Sequence, residues 1–145
     1  MKYQILQERY NQASHNIRII FKPENEVLNA FFSTLRINKT PSLLDKISNS
    51  ENYYQELMSL RFYKNLDWEE LEELLEIGGI KEGEVAIYHE VYGEITLNES
   101  IFKQLVLDYS QELLEVYRND SSLPDSWDIQ MTNGIIKLKN KSSQS

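Results

Sequence analysis

The side chains able to carry chemistry are few. Only His15 and His89 titrate near neutral pH without help from their surroundings. They fall in different predicted elements, and neither has a second histidine or a carboxylate at zinc-ligand spacing. The absence of cysteine excludes a thiolate zinc site, an iron–sulfur cluster, thiol catalysis and a disulfide framework. Asp120, Asp125 and Asp128 share one segment, but their spacing lacks the EF-hand pattern with its glycine at the sixth position. The chain has no Gly-x-Ser-x-Gly elbow, no phosphate-binding glycine loop and no dinucleotide fingerprint. Carboxylate pairs abound, but they sit on predicted solvated helix, with no apolar surroundings to push one pKa upward. These features describe a non-enzyme with no catalytic residue, no cofactor and no metal. A small enzyme, the weakest alternative, would have to be built on His89, which faces inward from a predicted strand.

The strongest signal is charge. The chain of 145 residues carries a net −8, and the charge is segregated. Residues 1–64 have 9 Lys/Arg against 6 Asp/Glu. Residues 65–136 have 3 against 17, and 137–145 add three lysines. Such a balance disfavours nucleic acid and anionic membranes as partners. No apolar run reaches the roughly 18 residues of a membrane span, and no secretory signal is read at the N-terminus. A cytoplasmic location is the expectation. Acidic segregation suits a surface that attracts a basic protein, because complementary fields raise association rates by roughly 10–10³-fold.

The elements that must hold these charges follow from periodicity and caps. Residues 2–12 place Tyr3, Leu6 and Tyr10 at helical spacing. Residues 16–22 alternate as a strand, with one continuous helix over 2–22 as the alternative. Pro23 opens a helix to about Arg36. Thr40-Pro41 opens another, ended by Ser48-Asn49-Ser50. Residues 51–64 read as a helix with Tyr53, Tyr54, Leu57, Met58 and Phe62 on one face. Asp67 and Glu70 form a capping box for a helix to Ile77, with Leu66 and Leu71 as its staple. Trp68, Leu71, Leu74 and Leu75 make its buried stripe, and Gly78-Gly79 its stop. Residues 84–97 form a hairpin turning at Tyr92-Gly93. Asn98 caps a long helix to about Tyr117. Asn133-Gly134 signals a second hairpin, which puts Trp127, Ile129, Met131, Ile136 and Leu138 on one face. The expected architecture is α+β: N-terminal helices, then antiparallel hairpins with the long helix packed on the sheet. Residues 1–140 form a single domain, and 141–145 a polar tail expected to be disordered.

The acidic helix Asp67–Ile77, the acidic hairpin Glu84–Leu97 and the acidic face of Glu99–Tyr117 give the chain a distinct character. Tyr88 and Tyr92 are expected to face outward beside Glu90 and Glu94, as anchors among steering charges. In size, acidity and lack of catalytic groups, the chain resembles the small acidic immunity proteins of bacterial toxin–immunity systems. That resemblance implies a protein partner, a cognate toxin domain that is commonly a basic nuclease. It also implies a contact surface including Glu69, Glu70, Glu73, Glu76, Tyr88, Glu90, Tyr92 and Glu94. The alternative is an adaptor or regulatory subunit that binds another protein without inhibiting it.

Overall fold

The structure is a computed structural model that describes residues 1–7, 17–55, 57–77 and 79–143. Strands, not helices, come first. β1 (Lys2–Gln7) pairs antiparallel with β2 (Ile17–Lys22), setting Tyr3 opposite Phe21 and Ile5 opposite Ile19. The alternation expected for β2 holds: Ile17, Ile19 and Phe21 are buried, and Arg18 and Lys22 are exposed. The helix expected over 2–12 is corrected at Lys2–Gln7, and its remainder lies outside the described residues. The alternative of one helix over 2–22 falls with it. Tyr3 and Ile5 carry the period-two signal, pack against the core, and count for more than the helical spacing of Tyr3 and Leu6.

α1 (Glu26–Ser33) starts at Asn25, whose side-chain oxygen accepts from the Leu28 amide at 3.0 Å. α2 (Thr40–Ser48) has Pro41 in its first turn and buries Leu43, Leu44 and Ile47, as expected. The helix expected over 51–64 is corrected at β3 (Tyr53–Tyr54) and β4 (Met58–Phe62), because Met58, Leu60 and Phe62 alternate with the less buried Ser59 and Arg61. A 3₁₀ turn follows at Tyr63–Asn65. α3 (Trp68–Ile77) follows, then the expected hairpin of β5 (Glu84–His89) and β6 (Gly93–Asn98). Gly93 takes φ 93° at the turn, a conformation that costs a side-chain-bearing residue energy. β3, β4, β5 and β6 are consecutive neighbours in a four-stranded antiparallel sheet.

α4 (Glu99–Tyr117) is capped by Asn98, whose side chain accepts from the Ser100 amide at 2.9 Å. With α1 it covers the inner face of the sheet. Phe31 and Phe62 both pack on Phe102, at ring separations of 5.7 and 6.4 Å, and Phe32 lies 4.7 Å from Tyr109.

The last element corrects the second hairpin. α5 (Trp127–Ser143) is a helix that packs on α2 and α4. Its buried residues Trp127, Met131, Ile135 and Leu138 have helical spacing, whereas Ile129 and Ile136 of the expected strand face are exposed. Gly134 serves close approach instead of a turn: a Cβ there would meet Leu44 of α2 at 3.1 Å. α5 runs to Ser143, past residue 140. The fold is α+β, and among the described residues no helix is long and apolar enough to cross a membrane.

Candidate functional site

Register builds the first candidate surface. Odd and even positions of a strand face opposite ways, so Tyr88 points away from the core that Ile87 and His89 face. Tyr88 lies opposite Ser59 on one side and Glu94 on the other, and Ser59 lies opposite Tyr54. Tyr54, Ser59, Tyr88 and Glu94 thus form one row across all four strands on the outer face. Two strand spacings put Tyr54 and Tyr88 roughly 10 Å apart. Both rings meet solvent, Tyr54 at 65% exposure and Tyr88 at 43%.

The next row on this face is Arg61, Ala86 and Thr96. Ala86 is buried by Leu66, Ile80 and Leu71, so α3 covers that end of the face and leaves the tyrosine end open. The capping box that starts α3 is present: the Glu70 amide donates to Asp67 at 2.8 Å, and the Asp67 amide to Glu70 at 3.4 Å. The staple residues Leu66 and Leu71 share the small cluster over Ala86. Trp68 does not join it. Expected in the buried stripe, it is 78% exposed at the first position of the helix, beyond that cluster.

The structure gathers Glu70 and Glu94 around Arg61, whose guanidinium lies 3.7 Å from Glu70 and 3.8 Å from Glu94, and Glu94 lies opposite Tyr88. Two carboxylates thus share one cation. Glu69 and Glu73 are exposed on α3, and Glu76 lies on the same helix. Glu90 is exposed at the β5–β6 turn, where its amide donates to Leu57 at 2.9 Å. Tyr92 is exposed, as expected, but its ring packs on His89 at 4.9 Å and so lies apart from Tyr88. Sequence reasoning missed Tyr54 and Arg61, because both were placed in a helix. The alternation of Met58, Leu60 and Phe62 was the signal that could have found them.

His89 is buried, and its Nδ1 accepts from the amides of Val91 at 3.1 Å and Tyr92 at 3.4 Å. With Nδ1 accepting from two amides, Nε2 is the ring nitrogen left to donate.

A second polar cluster is interior. Ser50 ends α2 at φ 54°, with the Glu51 amide bonded back to Lys46 at 2.9 Å, an arrangement in which glycine is usual. Its hydroxyl donates to Glu99 and accepts from Lys103 at 3.0 Å. Lys103 and Lys64 lie 3.6 and 3.3 Å from Glu99. Burial opposes the Glu99 charge, but Ser50, Lys103 and Lys64 together hold its carboxyl below the usual range. Burial draws the Lys103 ammonium below its ordinary value, against the pull of Glu99. Through these two bonds Ser50 ties the end of α2 to α4. Among the described residues no group of three or more His, Asp or Glu could hold a metal ion. Comparison with family models, with curated proteins and with solved structures finds no match.

Proposed function

We propose that this protein is a protein-binding inhibitor without catalytic activity, an immunity protein that neutralises a cognate toxin domain. Its contact surface is the outer face of the four-stranded sheet together with α3. The observation that carries the reading is the row Tyr54–Ser59–Tyr88–Glu94, with two exposed aromatic rings, and the carboxylates of α3 beyond Arg61. Interfaces concentrate their binding energy in buried aromatic anchors ringed by polar groups. Fully covering one such ring contributes about 1.5–3 kcal/mol.

Arg61 absorbs part of the field, leaving one net charge on the Glu70–Arg61–Glu94 group. Steering of a cationic partner therefore falls mainly to the exposed Glu69, Glu72 and Glu73 of α3 and to Glu90. Charge reversal at Glu69 and Glu73 tests this, since neither belongs to the capping box or to Arg61. The probe is the polypeptide encoded immediately upstream of this protein's own reading frame. The double reversal is expected to slow association and flatten its salt dependence. Unchanged association would remove α3 from the interface. An assay of the partner's activity separates inhibition from adaptor binding, because an adaptor leaves that activity intact.

A further inference from the structure

In the open part of the outer face a small side chain sits among large ones. Ser59 is in the middle of the Tyr54–Ser59–Tyr88–Glu94 row, with Tyr54 of β3 on one side and Tyr88 of β5 on the other. Arg61, two residues along β4, faces the same way and bounds the position at the α3 end. At the other end the β3–β4 and β5–β6 turns meet, where the Glu90 amide donates to the carbonyl of the exposed Leu57 at 2.9 Å. A hydroxymethyl group between two tyrosines leaves a notch over Ser59. The roughly 10 Å between the flanking strands accommodates one planar group, with a stacking distance of about 3.5–4.0 Å to a ring on either side.

Charge selects what fills the notch. Glu94 ends the row beside Tyr88. Glu90, two residues beyond Tyr88, is exposed and has no ion pair among the described residues. Arg61 already serves Glu70 and Glu94, so an incoming carboxylate meets net negative charge. An apolar side chain would cover the Ser59 hydroxyl and give it no partner. A cation gains twice: the tyrosine faces attract it through their ring quadrupoles, and Glu90 and Glu94 attract it through their charge. We propose, on the reading of the outer face as the contact surface, that the Ser59 notch receives an arginine side chain of the partner protein. Its guanidinium stacks between Tyr54 and Tyr88 and pairs with the carboxylates beside Tyr88. Arginine suits the notch better than lysine, because its planar, weakly hydrated head can stack on a ring and donate hydrogen bonds in its own plane at the same time.

The test is an NMR titration of the full chain with acetyl-Gly-Arg-Gly-amide, beside twins that carry citrulline, lysine or leucine in place of arginine. Saturable amide shifts at Tyr54, Ser59 and Tyr88 are expected with the arginine peptide. Each twin should bind at least about threefold more weakly, since citrulline lacks the charge, lysine the plane and leucine both. Raising salt from about 0.05 to about 0.5 M should weaken the arginine peptide. Ser59→Phe, which fills the notch, should abolish the shifts while circular dichroism stays native. No shift at Ser59, equal binding of any twin, or unchanged binding to Ser59→Phe would overturn the proposal. So would sedimentation showing a dimer that buries Tyr88, with a second copy as the occupant. The notch and the contact surface fail separately. If the polypeptide encoded upstream binds through Tyr54 and Tyr88 while the arginine peptide does not bind, the notch falls and the contact surface stands. If the peptide binds and that polypeptide does not, the inhibitor falls and the notch stands.

Discussion

At the scale of single residues, the buried Glu99 is where a small change does most damage. Glu99→Gln leaves Lys103 charged and 4% exposed without its counter-ion. Breaking a buried pair from one side costs about 3–5 kcal/mol, so urea midpoints should fall sharply. The double variant Glu99→Gln/Lys103→Met should recover part of the loss, since it removes both charges. The pair also sets a pH dependence. The folded-state pKa of Glu99 lies below its ordinary value. Its stabilisation is therefore complete above the unfolded-state value of about 4.3 and is lost as pH falls through the folded-state value. Urea denaturation between pH 7 and pH 3 should show that loss in the native protein and a flatter profile in Glu99→Gln. Arg61 behaves differently. Its side chain is 28% exposed and its carboxylate partners are open to water, so Arg61→Ala should change stability by under about 1 kcal/mol. It frees two carboxylates, however, and stopped-flow association with a cationic partner should become faster. A slower rate would place the steering charges elsewhere.

At the scale of elements, the sequence was most legible where caps and periodicity agreed. Asn98 and the Asp67–Glu70 box each mark a helix start found in the structure; Pro41 lies in the first turn of α2, but Thr40 is not its cap, because it is already helical and its hydroxyl donates back to the Arg36 carbonyl. The hairpin at Tyr92-Gly93 is also where expected. Besides β1, two elements were misread because two periods coexist in one stretch. Trp127 and Met131 belong equally to a period-two and a period-3.6 pattern, and Asn133-Gly134 tipped the reading toward a turn. Long-range packing decides it: Gly134 lets α5 approach Leu44, and the Trp127 indole donates to the Ile37 carbonyl at 2.8 Å. Neither partner is visible from within the segment. Residues 51–64 failed likewise, since Tyr53, Tyr54, Leu57, Met58 and Phe62 do fill a helical face, and only pairing with β5 selects the strand. Gly134→Val should therefore cost about 1–3 kcal/mol through overpacking against Leu44. A neutral result in thermal melts would mean that the α2–α5 contact is loose.

At the scale of the whole molecule, acidity was legible as a quantity but not as a surface. Of the expected contact set, Glu70 and Glu94 meet at Arg61, Tyr88 lies opposite Glu94, and Glu69, Glu73 and Glu76 share the helix of Glu70. Tyr92 packs against His89, apart from Tyr88. Arg61 lies in the mildly basic first part of the chain, and its arrival on the acidic face is a product of β4–β5 pairing that local charge counting could not show. The outer sheet face thus carries two exposed aromatic rings with acidic groups at its rim. Salt should weaken binding of a cationic partner at this face.

The most direct measurement is titration calorimetry against the polypeptide encoded immediately upstream, comparing the native protein with Tyr54→Ala/Tyr88→Ala. Both rings are exposed in the free protein, so the double variant should keep its fold by circular dichroism. Nanomolar binding, weakened about 100-fold or more by the two substitutions, is the expected result, equivalent to about 2.7 kcal/mol across two anchors. An affinity indifferent to both substitutions, or no complex at all, would contradict the assignment of the outer sheet face as the inhibitory surface.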